Sequence, residues 1–137
     1  MERVFGEPLV ILVDDEPCVL STLAAILAWA GCRVLRAESS SAALAIAESM
    51  TEPLDLLITD VVMPGLRGPA LAKRIMRLHP EGRVLFIAGL ADTPEIQEEV
   101  VRLGLPLLPK PFRPDALIEA VRDAMLSPVN RIAVAPA

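Results

Sequence analysis

Two uninterrupted apolar runs restrict this chain more than any other feature. Leu9-Val10-Ile11-Leu12-Val13 and Leu56-Leu57-Ile58 show no alternation of apolar and polar residues. A strand with one wet face alternates, whereas a strand covered on both faces does not, and the latter pattern belongs to parallel sheets with helices on each side. The first run stops on Asp14-Asp15-Glu16, and the second continues through Thr59 to stop on Asp60. In an open parallel sheet, ligands bind in the crevice outside the carboxyl ends of the strands. An aspartate at such an end is therefore placed for chemistry.

The rest of the chain supplies the helices and the other strands. Pro17 suits a first helical turn, and Val19, Leu20, Leu23, Ile26, Leu27 and Ala30 recur at helical spacing before Gly31, with Trp29 read as a packing residue late in that helix. Cys32 to Ala37 is a shorter strand. Ser39, Ser40 and Ser41 offer capping hydroxyls to an alanine-rich helix that reaches about Met50. Gly68-Pro69 opens a third helix, closed at His79-Pro80 because a residue before proline is biased out of the helical region. Val84-Leu85-Phe86-Ile87 forms a fourth strand, and Asp92, Thr93 and Pro94 start a helix that ends at Gly104. Leu105 to Pro109 is a fifth apolar run, and its two prolines each remove a ladder donor, which places it at a sheet edge. Pro114 opens the last helix, which ends near Ser127-Pro128. Five strands alternating with five helices, with short right-handed connections, make an α/β sandwich of one parallel sheet. The domain is expected over residues 8–126, with a lead-in at 1–7 and a short tail at 127–137.

Composition removes several function classes. The chain has 137 residues, is 53% hydrophobic and carries a net charge of -5, so it has no electrostatic footprint for nucleic acid. No stretch approaches the roughly 20 apolar residues of a membrane span, and the first residues lack the pattern of a signal peptide. Cys18 and Cys32 have neither CxxC spacing nor zinc-ligand companions; they read as reduced, mostly buried thiols of a cytoplasmic protein. No GxGxxG or Walker A stretch is present.

If strands one, three, four and five are parallel neighbours, one rim of the sheet collects Asp14, Asp15, Asp60, Ala88 and Lys110. Carboxylates at close range raise one another's pKa, and opposite charge must compensate. Lys110 supplies one positive charge. A hard divalent cation with oxygen ligands supplies the rest, and Mg²⁺ (or Mn²⁺) takes one or two carboxylates together with water and phosphate oxygens. A carboxylate beside such an ion and a lysine suits acceptance of a phosphoryl group, because aspartate forms covalent aspartyl phosphates and the transfer needs positioning and charge neutralisation above all.

The ordered set Asp14-Asp15-Glu16, Asp60 with Met63-Pro64-Gly65, and Lys110-Pro111-Phe112 resembles the receiver (CheY-like) domain of two-component response regulators, and receivers attached to hybrid histidine kinases in its wording. The resemblance covers about residues 8–126. It implies a flavodoxin-like (βα)5 fold with strand order 2-1-3-4-5. It implies Asp60 as phosphoacceptor from a histidine kinase or histidine phosphotransfer protein. It implies a metal held by Asp15, Asp60 and the backbone carbonyl of Val62, with Asp14 assisting through water. Lys110 would contact the phosphoryl group, and Lys110-Pro111 is a candidate cis bond. Such a domain is a regulatory phosphoacceptor and not an enzyme in the ordinary sense.

Two positions depart from the family's pattern. The strand-four residue that usually carries a hydroxyl is Ala88, and the strand-five position that usually carries an aromatic switch is Leu107. Phosphoryl acceptance should survive these changes, while propagation should weaken or run through another route, such as dimerisation on the face made by the fourth helix, fifth strand and fifth helix. Val62 and Leu90 flank the site at positions that tune hydrolysis in similar proteins. Both are apolar, so slow loss of phosphate is expected. The competing reading is a pseudo-receiver, a protein-binding scaffold that never turns over phosphate.

Overall fold

Strands β1 (Leu9–Val13) and β3 (Leu56–Asp60) lie side by side inside a five-stranded parallel sheet ordered β2-β1-β3-β4-β5, with β2 at Arg33–Ala37, β4 at Arg83–Ala88 and β5 at Leu107–Pro109. The structure is a computed structural model that describes residues 5–89 and 94–126. The helices are α1 (Pro17–Trp29), α2 (Ser40–Ser49), α3 (Gly68–Leu78), α4 (Pro94–Leu103) and α5 (Pro114–Leu126). Both the order and the flavodoxin-like architecture are those the resemblance implies.

Every residue of β1 and β3 is buried, as the unbroken apolar runs require. Successive side chains point to opposite faces of a strand, so the core divides in two. On one face Ile11, Leu57 and Phe86 pack with Ala43, Leu71, Ile75 and Val100 from α2, α3 and α4. On the other, Leu12, Ile58 and Leu85 pack with Leu20, Leu27, Leu117 and Val121 from α1 and α5. β5 is an edge strand, as its prolines demand, but it is shorter than the apolar run. Regular pairing begins at Leu107, although the Pro106 carbonyl still accepts from the Phe86 N–H at 3.0 Å.

Two side chains differ from the sequence reading. Cys18 is exposed, and Trp29 is 49% exposed where a packing role was expected. The inward stripe of α1 is Leu20, Leu23, Ala24 and Leu27. Cys18 and Trp29 each lie two positions off its ends, and residues two apart on a helix do not share a face. Cys32 is buried as expected, and burial pushes its thiol up to about 11.

Polar side chains fix connections at both ends of the sheet. Ser39 caps α2 by accepting the Ala42 N–H at 3.1 Å. Asp55, at the entry to β3, accepts the Leu9 N–H at 2.7 Å. His79 does more than end α3: its Nδ1 accepts from the Leu54 N–H at 3.3 Å, and its Nε2 lies 2.9 Å from the Ala47 carbonyl. That pair of bonds requires the proton on Nε2 and ties α2 to the start of β3.

Candidate functional site

The carboxyl ends of β1 and β3 carry Asp14, Asp15 and Asp60, and the segment leaving β5 carries Lys110. The structure brings all four together. One carboxylate oxygen from each aspartate lies within 4.8 Å of the others. Lys110 Nζ donates to Asp14 Oδ2 at 3.2 Å and to Asp60 Oδ2 at 3.3 Å. Asp14 is buried, and its other oxygen accepts the Glu16 N–H at 2.9 Å, which turns the chain from β1 into α1. Asp15 is exposed. The Lys110 N–H donates to the Ala88 carbonyl at 2.8 Å, and the Lys110-Pro111 peptide is cis.

The electrostatics follow from this crowding. Burial pushes the Asp60 carboxyl up to about 6; Lys110 pulls against that shift, and Asp14 and Asp15 add to it. For Lys110, burial acts downward but is outweighed by Asp60 and Asp14, so its ammonium is held above its ordinary value. The cluster gathers three acidic side chains around one ammonium. An all-oxygen donor set with surplus negative charge suits a hard divalent cation, so the residues present fit the metal that the sequence implies.

The loop after Asp60 is tied down at several points. The Val61 N–H donates to the Ile87 carbonyl at 3.0 Å, and the Gly68 N–H donates to the Val61 carbonyl at 2.8 Å. Met63 is buried in the α2–α3–α4 core. Val62 is 41% exposed beside Asp60. Gly68 is required by close approach: a Cβ there would stand 2.6 Å from the Asp60 carbonyl oxygen. Ala88 ends β4, buried and without a hydroxyl, and Leu107 begins β5 on the outer surface, 36% exposed. Leu90 lies outside the described residues.

Sequence reasoning missed three supports. Asp14 bonds Lys110 directly, Gly68 makes room for the Asp60 backbone, and Ser40 reaches the loop, its Oγ accepting the Leu66 N–H at 3.2 Å. The signal for Ser40 was the serine triplet, in which one hydroxyl is enough to cap a helix.

The chain belongs to the response regulator receiver domain family, whose model matches residues 10–122. It is 31% identical over 120 residues to the sensor kinase CckA of Brucella abortus (strain 2308), covering 88% of this chain and 13% of that much longer protein. The crystal structure of the receiver domain from hybrid histidine kinase CckA is similar at 35% identity and a TM-score of 0.71, covering 85% of this chain and 98% of that one. A response regulator receiver domain protein from Clostridium thermocellum gives a TM-score of 0.76 at 28% identity, covering 86% and 94%. The chain is therefore a phosphorylation-accepting regulatory domain of two-component systems. No helix among the described residues is long and apolar enough to cross a membrane.

Proposed function

We propose that Asp60 is the phosphoacceptor and takes its phosphoryl group from a phosphohistidine on a kinase or phosphotransfer protein. A carboxylate oxygen of Asp60 forms the new P–O bond, the P–N bond to the histidine breaks, and the departing imidazole keeps the electron pair and takes up a proton. Asp60 must be ionised to attack, and a pKa of about 6 leaves it so at neutral pH and above. Lys110 holds the nucleophile in place and offers its charge to the incoming phosphoryl oxygens. Asp15, Asp60 and the Val62 carbonyl would hold Mg²⁺ (or Mn²⁺), with Asp14 assisting through water. The ion, when bound, would neutralise charge on the transferred group. The observation that carries this reading is Lys110 Nζ lying 3.2 and 3.3 Å from two of three converging carboxylates.

The partner must bring its histidine to the same rim. An apolar groove lined by Val19, Ile26, Phe112 and Pro114 runs beside Lys110 and offers the adjacent surface. The signal leaves differently from the family's usual route, since Ala88 offers no hydroxyl to a phosphoryl oxygen and Leu107 no ring to turn inward. Exposed Val101 on α4 and Leu107 on β5 leave apolar surface for output contacts, including a second copy of the chain. With Val62 and Leu90 unable to orient a water, the phosphorylated form is long-lived.

The test is incubation with a small phosphodonor and Mg²⁺. The expected product is one base-labile acyl phosphate, absent in Asp60→Asn and abolished by chelation. A protein that takes up no phosphate under these conditions but still binds its partner is a pseudo-receiver scaffold.

A further inference from the structure

The loop that follows Asp60 is also held from α2, by a side chain the phosphoacceptor reading does not use. Ser40 is the first residue of α2, and the helix cap is already supplied by Ser39, whose Oγ accepts the Ala42 N–H. The Ser40 hydroxyl is thus released from capping. It is buried at 7% exposure, and its Oγ accepts the Leu66 N–H at 3.2 Å. The neighbouring Gly65 sits at φ 86°, and a Cβ there would stand 2.9 Å from the same Oγ. The left-handed turn and the missing side chain are what let the loop come down onto the serine.

We propose that Ser40 is a positioning residue of the phosphoacceptor site, holding the Asp60–Gly68 loop so that the Val62 carbonyl faces the acidic cluster. This inference rests on the function proposed above. The loop's other backbone ties, Val61 to Ile87 and Gly68 to Val61, fix its two ends. Leu66 lies between them, and its amide is held by Ser40, while Met63 is buried in the same core cluster as Ala43 and Ala47 of that helix. Helix α2 therefore sets the height of the loop's middle over the sheet rim. A carbonyl that serves as a metal ligand is useful only if the backbone behind it is held, and groups that orient ligands raise metal affinity.

The test measures aspartyl phosphate formation from a small phosphodonor as Mg²⁺ is varied, in wild type and Ser40→Ala, with urea unfolding of both. The expected result is a half-saturating Mg²⁺ concentration raised about three- to tenfold, the ratio one lost hydrogen bond would give, with the rate at saturating Mg²⁺ within about twofold of wild type. An unchanged half-saturating concentration, with stability alone reduced, overturns the proposal. A second readout needs no variant: in wild type, hydrogen exchange of the Leu66 amide should slow when Mg²⁺ is added. A Leu66 amide that exchanges at the rate of an open loop, with and without Mg²⁺, overturns it equally. If wild type forms no acyl phosphate and ignores Mg²⁺, the function and this inference fall together. If wild type does both and Ser40→Ala matches it, only this inference falls.

Discussion

Replacing Gly68 with alanine sets two physical effects against each other at the site. Gly68 is the first residue of α3 and its φ is not positive. On backbone entropy alone, alanine would therefore stabilise the protein by about 0.4–1 kcal/mol. The fold opposes this. The added Cβ would stand 2.6 Å from the Asp60 carbonyl oxygen and 3.0 Å from the Val61 Cα, where ordinary contact begins at 3.4 Å. Both atoms are main chain, so no side chain can swing aside, and the start of α3 and the end of β3 must part by roughly 0.8 Å to regain ordinary contact. Overpacking of this kind costs about 1–3 kcal/mol, which exceeds the entropic gain. The expected net loss is about 1–2 kcal/mol, read by urea unfolding. Part of the displacement falls on Asp60 itself, and a misplacement approaching 1 Å slows chemistry by about tenfold to a hundredfold. Aspartyl phosphate formation should therefore slow in Gly68→Ala beyond anything its folded fraction explains. A variant as stable as wild type, or more so, with unchanged phosphorylation would show that the Asp60 backbone tolerates a side chain at this position.

Asp60 itself should destabilise the metal-free protein at neutral pH. Its folded pKa, about 6, lies above the ordinary carboxylate value, so the folded state binds its proton more tightly than the unfolded state. The associated stability is present at low pH and is lost as pH rises toward 6. Without divalent ions, Asp60→Asn should be more stable than wild type by roughly 1–3 kcal/mol at pH 7.5, with the gap closing toward pH 4; urea unfolding across that range checks it, and a pH-independent gap counts against it. His79→Ala removes both the acceptor for the Leu54 N–H and the partner of the Ala47 carbonyl, and should cost about 1–3 kcal/mol by urea unfolding while leaving phosphorylation intact. On binding beryllofluoride with Mg²⁺, wild type should show amide shifts confined to the site, and Ala88→Thr should extend them into α4 and β5. Broad shifts in wild type would show that the missing hydroxyl does not limit transmission.

Much of the fold was legible because its central strands are buried on both faces. β1 and β3 could be read from their unbroken apolar runs, and the carboxylates that end them from their place at the carboxyl ends of such strands. The edge position of β5 was legible from its prolines. Its first paired residue was not, because Pro106 lacks a donor yet still contributes a carbonyl to the ladder. The exposure of Cys18 and Trp29 was missed because α1 is apolar on most of its circumference, so periodicity does not mark which stripe faces inward. The supports of the site were hardest to see. Ser40 meets Leu66 and Asp14 meets Lys110 across long stretches of chain, and Gly68 meets Asp60 across the loop between β3 and α3; these meetings depend on how α2, α3 and β5 pack. Which partner the domain meets is written in its surface side chains, and surface side chains carry little periodic signal.

An amide-shift titration with Mg²⁺ and beryllofluoride, a phosphoryl mimic, tests whether the three aspartates and Lys110 form one site for a divalent ion and a phosphoryl group. Saturable shifts are expected at Asp14, Asp15, Asp60, Val61, Val62, Ala88 and Lys110, dependent on both components and lost in Asp60→Asn. Spectra that stay unchanged when both are added would contradict such a site, as would shifts that persist undiminished in Asp60→Asn.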